Sequence, residues 1–203
     1  MKILATAISI ILHPLLMITY GIGLALSTTY LAVLPLNIKI MIMVLVFTVT
    51  AVLPAVVIGL MIKYGMAGDY ELERKEERRY PYMITMLCNT ACIYFLVRWG
   101  MPGWMLSMLI ASVVTLGLAL IVNSFWKISA HLMGIGGVTG GVFGLSYLWG
   151  LNPFPLFIIV LLLSAAVASS RISLGRHTPL QTYAGFSLGF LLTFIGATWY
   201  LFV

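Results

Sequence analysis

Residues 104–123 read WMLSMLIASVVTLGLALIVN, twenty positions without an ionisable side chain. A helix of that length rises about 30 Å, which matches the hydrocarbon core of a bilayer. The same pattern recurs on both sides of it. Apolar runs over 4–32, 38–62, 81–98, 104–123, 129–148, 153–169 and 179–202 predict seven membrane spans. Turn-forming residues separate them: Pro35, Pro81, the Gly100-Met101-Pro102-Gly103 stretch, Asn152-Pro153 and Pro179. Of the 203 residues 62% are hydrophobic and 8% charged, and the mean hydropathy is +1.12. A soluble domain carries about a quarter charged residues. The expected fold is therefore all-α, a polytopic transmembrane helix bundle forming one integral membrane domain over 1–203. The run after Met1-Lys2 continues past Thr29, too long for the roughly 7–15 apolar residues of a cleaved leader, and so reads as the first span.

Seven crossings sort the polar segments onto two sides. Side one holds the N-terminus, the 63–80 segment and the turns at 124–130 and 170–178. It carries Lys2, Lys63, Arg74, Lys75, Arg78, Arg79, Lys127, Arg171 and Arg176, whereas side two carries only Lys39 and Arg98. His131 and His177 also fall on side one. On charge alone, nine cations against two predict that side one faces the cytoplasm. Placing ionisable groups at span ends avoids the cost of about 2.5–3.5 kcal/mol each near a span centre. It also builds a cationic cup at one interface, suited to a phosphate headgroup. The net charge of +6 points to anionic lipid or phosphate and not to nucleic acid. A transporter or channel is disfavoured, because ionisable residues gather at one face instead of running through the spans.

Two short motifs bear chemistry. Ser170-Arg171-Ile172-Ser173-Leu174-Gly175-Arg176-His177 joins the sixth and seventh spans, and Ser129-Ala130-His131 opens the fifth. Histidine is a competent nucleophile or acid near neutral pH, arginine presents a planar fork to phosphoryl oxygens, and Ser129 lies where a helix N-terminus can meet an anion. The first motif resembles the Ser-Arg-x5-His third motif of the type 2 phosphatidic acid phosphatase (PAP2) superfamily. The second resembles that superfamily's Pro-Ser-Gly-His second motif. Motif order and the placement of both on one side also match, over roughly residues 63–200.

The resemblance implies a metal-independent, cofactor-free lipid phosphatase of the cell membrane. It hydrolyses a lipid phosphomonoester or an isoprenoid diphosphate. His177 would attack phosphorus to form a phosphohistidine, His131 would protonate the leaving oxygen, and Arg171 would hold equatorial oxygens. Lys127, Ser129, Ser170, Arg78, Arg79 and Gln181 are the expected substrate-binding residues. The implied partners are the bilayer and a membrane lipid. Departures from the pattern are specific. Ile128 and Ala130 replace the second motif's Pro and Gly, and the Lys-x6-Arg-Pro first motif is not reproduced by Arg74–Pro81. The Asp expected four residues after the nucleophile is Gln181. Some polyprenyl-diphosphate phosphatases of the superfamily carry Gln there, which favours a prenyl diphosphate. The missing carboxylate and altered first motif support an alternative, a relative that binds or translocates lipid phosphate without hydrolysis.

Gln181 admits two readings. It either orients His177, or closes a capping box as the fourth residue of Thr178-Pro179-Leu180-Gln181. As a helix, 63–80 would gather Arg74, Lys75, Arg78 and Arg79 on one face and Asp69, Glu73, Glu76 and Glu77 on the other. A solvated helix with internal ion pairs such as Glu71–Lys75 is the competing reading. Of these cations, Arg78 and Arg79 lie nearest the membrane. Gly136, Gly140 and Gly144, with Gly185 and Gly189, form small-residue rows that bring helices close. Cys88 and Cys92 read as span residues, and His13-Pro14 as a kink. Trp104, Trp126, Trp149 and Trp199 read as interface anchors.

Overall fold

The computed structural model describes residues 2–69, 72, 74–150, 152 and 154–199. Within them, seven helical segments are long and apolar enough to cross a membrane. The chain is an all-α, multi-pass membrane protein. Span one combines α1 (Lys2–Ile11) and α2 (Met17–Thr28), joined by a tight turn over Pro14–Leu16. The break falls there because Pro14 has no N–H to donate and forces His13 out of helical geometry, to ψ 139°. Span two is α3 (Leu36–Phe47) and α4 (Leu53–Lys63), continuous through a single π-turn at Thr48–Val52. Pro54 sits just beyond that turn, and the wider turn absorbs the backbone bond that its missing N–H cannot make. The remaining spans are α5 (Arg79–Arg98, preceded by a 3-10 turn at Lys75–Arg78), α6 (Gly103–Phe125), α7 (Ala130–Trp149), α8 (Phe154–Ser173) and α9 (Pro179–Trp199).

The glycine rows set the centre of the bundle. α7 is the most buried span and packs most extensively on α9. A Cβ on Gly136 would collide with the Phe186 carbonyl, on Gly140 with that of Phe190, and on Gly189 with that of Met133. These helices touch backbone to backbone, so their dispersion contacts begin at the main chain itself. That contact carries the first turn of α9 against the first turn of α7, where the Ser129 N–H donates to the Gln181 carbonyl at 3.4 Å. Outward faces stay apolar, as at Leu87, Ile121 and Leu162.

Three expectations need correction. The 63–80 segment is not a helix: α4 ends at Lys63, and only Lys75–Arg78 is helical before α5 begins. The Asp69 carboxylate accepts from the Leu72 N–H at 2.9 Å and fixes Leu72 at φ 49°, a local bond that competes with helix. Among the cations expected on one face, Arg78 is buried, Arg74 and Arg79 are exposed, and Lys75 donates to the Ser124 carbonyl at 3.1 Å. Glu71 and Glu73 lie outside the described residues. Trp104 is a core residue, 2% exposed, whose indole donates to the Tyr30 hydroxyl at 3.3 Å; Trp149 and Trp199 are exposed near span ends. Both cysteines are buried thiols.

Candidate active site

The Arg171-to-His177 spacing is explained by how α8 ends. Gly175 takes φ +69°, and its N–H donates to the Ile172 carbonyl at 2.9 Å, while the Arg176 N–H donates to Arg171 at 3.0 Å. This paired closure is a Schellman turn with glycine in the left-handed position. The His177 N–H then donates to the same Arg171 carbonyl at 3.3 Å. A chain leaving helically would carry residue 177 away from residue 171. The turn folds it back over Arg171, and both side chains line one cavity.

Gln181 resolves the two readings by filling both roles. Thr178 Oγ1 accepts from the Gln181 N–H at 3.3 Å and Gln181 Oε1 accepts from the Thr178 N–H at 3.2 Å, which is a closed capping box. The same Oε1 lies 3.0 Å from His177 Nδ1. A backbone N–H can only donate, so the amide atom facing both groups is the oxygen. His177 Nδ1 therefore carries the proton, and Nε2 keeps its lone pair. Burial pushes the His177 pKa down to about 3, reinforced by the charge of Arg78, opposed by the Gln181 hydrogen bond, and reinforced again by Lys127 and Arg171. The ring is neutral at physiological pH, the state a nucleophile requires.

His131 lies at the second position of α7 and is buried. Its Nε2 is 3.2 Å from the Ser9 carbonyl, so Nε2 is the protonated nitrogen. Its ring meets His13 edge-on, with centroids 5.4 Å apart and planes at 77°. The charge of Arg171 acts on it. Arg78, 4% exposed, is held by two carbonyls. Its Nε donates to Leu72 at 2.8 Å and its Nη1 to Ile128 at 2.8 Å, which ties the 64–78 segment to the entry of α7.

Arg78, His131, Arg171 and His177 thus converge on one cavity of about 580 Å³. The other expected binding residues stand behind or outside it. Ser129 caps α7 by accepting from the Leu132 N–H at 3.5 Å. Ser170 Oγ donates to the Ala5 carbonyl at 2.5 Å and lies 2.9 Å from Ser9 Oγ, so it fastens α8 to α1. Gln181 acts through His177, Lys127 contributes charge at His177, and Arg79 is exposed on the outside.

Sequence reasoning missed the first span. Ser9 and His13 both touch His131, and His13 lines the cavity, so the site extends beyond residues 63–200. The available signal was an ionisable side chain inside an apolar run, which marks function by default. Among the described residues no group of three or more metal-ligating side chains is gathered. A scan of protein-family models and searches of curated proteins and of solved structures find no match to this chain. Fold and site together define a multi-pass α-helical membrane protein with three histidines and two buried arginines gathered at one end of a cavity in the bundle.

Proposed function

We propose that this protein is a lipid phosphatase that hydrolyses the phosphate or diphosphate of a membrane lipid through a phosphohistidine at His177. The observation that carries this reading is His177 itself: a neutral ring, Nδ1–H fixed on Gln181, beside the buried guanidinium groups of Arg171 and Arg78 at the end of a largely apolar cavity. Nε2 attacks phosphorus, forming the N–P bond as the bond to the lipid oxygen breaks. Arg171 and Arg78 stabilise the charge that gathers on the phosphoryl oxygens. His131 enters the step as the imidazolium, with one proton held at Nε2 by the Ser9 carbonyl and a second, taken up from water, at Nδ1, and it gives the Nδ1 proton to the leaving oxygen. Water then attacks phosphorus and gives its proton to His131 Nδ1, which restores the acid; the N–P bond breaks, and inorganic phosphate leaves. No step calls for a metal.

The cavity supports a lipid substrate. It runs from Arg78, Arg171 and His177 on side one to Trp104 and Asn152 at the other end of the bundle. Gln181 favours, by the resemblance, a single-chain isoprenoid diphosphate as the substrate, whose extended chain the cavity has the length to hold. Its reach across the bundle also supports the second reading, movement of a lipid phosphate across the bilayer. Purified protein incubated with a panel of lipid phosphates, with released phosphate measured, separates the two. Hydrolysis that persists in EDTA, stops with vanadate and is lost in His177→Ala supports the phosphatase. Headgroup translocation in liposomes without phosphate release supports the mover.

A further inference from the structure

Midway along the cavity the lining has two unlike walls. Met17, Ile22, Val138 and Val142, from α2 and α7, make one of them apolar. The facing wall carries Thr85 and Asn89 from α5, Ser112 and Thr115 from α6, and Thr50 from the π-turn. Nearly every hydroxyl hydrogen of that wall is already committed to its own helix. Thr85 donates to the Pro81 carbonyl at 2.8 Å, Thr115 to Ala111 at 2.7 Å, Thr50 to Val46 at 2.8 Å and Ser112 to Leu109 at 2.7 Å. What these oxygens still offer is lone pairs, so the wall accepts hydrogen bonds more than it donates them.

Asn89 sharpens the point. It lies 3.3 Å from Ser112 Oγ through Nδ2. The single hydrogen of Ser112 is spent on Leu109, so only the amide nitrogen can face that hydroxyl, and the side chain's orientation is fixed. Its Oδ1 then has no hydrogen-bond partner among the described residues, though Asn89 is only 1% exposed. A buried amide oxygen without a donor is unfavourable. Asn89 also lies about 15 Å along α5 from its first residue, Arg79, well below any phosphate held at the neighbouring Arg78.

We infer that Asn89 and Ser112 form a recognition site for a hydrogen-bond donor, a hydroxyl or amide N–H, carried partway along the chain of the lipid in the cavity. This rests on the reading that a lipid phosphate occupies the cavity with its head at His177. It goes further by selecting, among single-chain lipids, those whose chain is oxygenated on one side. A plain hydrocarbon chain satisfies the apolar wall and leaves Asn89 Oδ1 unmet. A chain with a hydroxyl at the matching depth satisfies both walls.

The test uses the purified full-length protein and two matched pairs of probes. One pair is hexadecyl phosphate and a series bearing one hydroxyl at successive mid-chain carbons. The other is hexadecanol and the corresponding diols, which lack phosphate. Dissociation constants are measured by thermal-shift titration, so no turnover is needed. In wild type one hydroxyl position should bind about tenfold tighter than the plain chain, about the worth of one hydrogen bond to an otherwise unmet buried group. Asn89→Leu, similar in size and unable to bond, should erase that preference while hexadecyl phosphate binds as before. Equal binding of plain and hydroxylated chains in wild type, meaning that water alone serves Asn89, overturns the inference. So does a preference that survives in Asn89→Leu. If diols are preferred over hexadecanol but phosphate adds no affinity, the hydroxyl site stands and the phosphatase reading falls. If phosphate adds affinity and no hydroxyl does, the reverse holds.

Discussion

Replacing Gln181 with alanine removes one oxygen that serves two donors, and the two losses appear in different measurements. The Thr178 N–H loses its acceptor at 3.2 Å, which opens the capping box at the start of α9. Loss of a cap costs about 1 kcal/mol, read as a lowered unfolding midpoint in detergent. His177 Nδ1–H loses its acceptor at 3.0 Å, and the ring is then free to place its proton on either nitrogen. A neutral hydrogen bond contributes about 1 kcal/mol net, so turnover should fall roughly 5- to 10-fold once part of the population carries the proton on Nε2. Gln181→Glu keeps an acceptor for both donors. It should preserve folding, and its charge should raise the His177 pKa from about 3 by favouring the imidazolium. Phosphate-release kinetics and thermal unfolding on the same preparations distinguish the roles. Wild-type turnover in Gln181→Ala refutes the orienting role of the hydrogen bond; an unchanged unfolding midpoint refutes the cap.

Gly189→Ala should destabilise by about 1–3 kcal/mol despite the better helix propensity of alanine, because its Cβ meets the Met133 carbonyl and the Gly137 nitrogen. Gly117→Ala, which meets only the flexible end of Met86, should be neutral or stabilising; thermal unfolding of the two checks the α7–α9 contact. The His177 pKa lies below its usual value, so the folded state binds fewer protons there than the unfolded chain. Stability from this group is complete above about pH 6.5 and is lost as pH falls towards about 3. Unfolding midpoints measured down this range should fall less in His177→Asn than in wild type; an equal fall contradicts the shift. The charge count predicts that side one faces the cytoplasm. Single cysteines at Gly100 and Asp69, in a background lacking Cys88 and Cys92, should therefore give labelling at Gly100 and not at Asp69 with an impermeant thiol reagent on intact cells. The opposite pattern would mean that cations such as Arg78 and Arg171 are there for phosphate and misled the count.

The spans were readable because a bilayer requires long apolar runs, and residues 104–123 state that requirement without ambiguity. The glycine rows were readable for a related reason: close backbone approach needs positions without a side chain, at helical spacing. The 63–80 segment was not readable, because charge periodicity cannot reveal that the chain leaves α4 through Gly65 at φ 72° or that Asp69 then captures the Leu72 N–H. Nor could spacing show that Arg78 turns inward and Arg79 outward, since loop geometry decides that. Ser170 and Ser129 share the motifs of the site residues, yet their hydroxyls serve α1 and the α7 cap. Ser9 reaches His131 through a main-chain carbonyl, a contact that carries no side-chain signature. In the sequence Asn89 is one polar residue in an apolar run, and its meaning depends on Ser112, twenty-three positions later.

Trapping the phosphoenzyme tests the central claim most directly. Purified protein mixed briefly with a lipid phosphate carrying radiolabelled phosphorus is quenched and separated by electrophoresis in alkali, where a nitrogen–phosphorus bond on histidine survives and a serine phosphoester is eliminated. The label should remain on the protein in alkali, disappear after brief acid treatment, and be absent from His177→Ala, while His131→Ala accumulates less of it because the leaving oxygen lacks its proton. Label of the same stability on His177→Ala, or hydrolysis by wild type with no protein-bound phosphate at any quench time, would contradict His177 as the nucleophile.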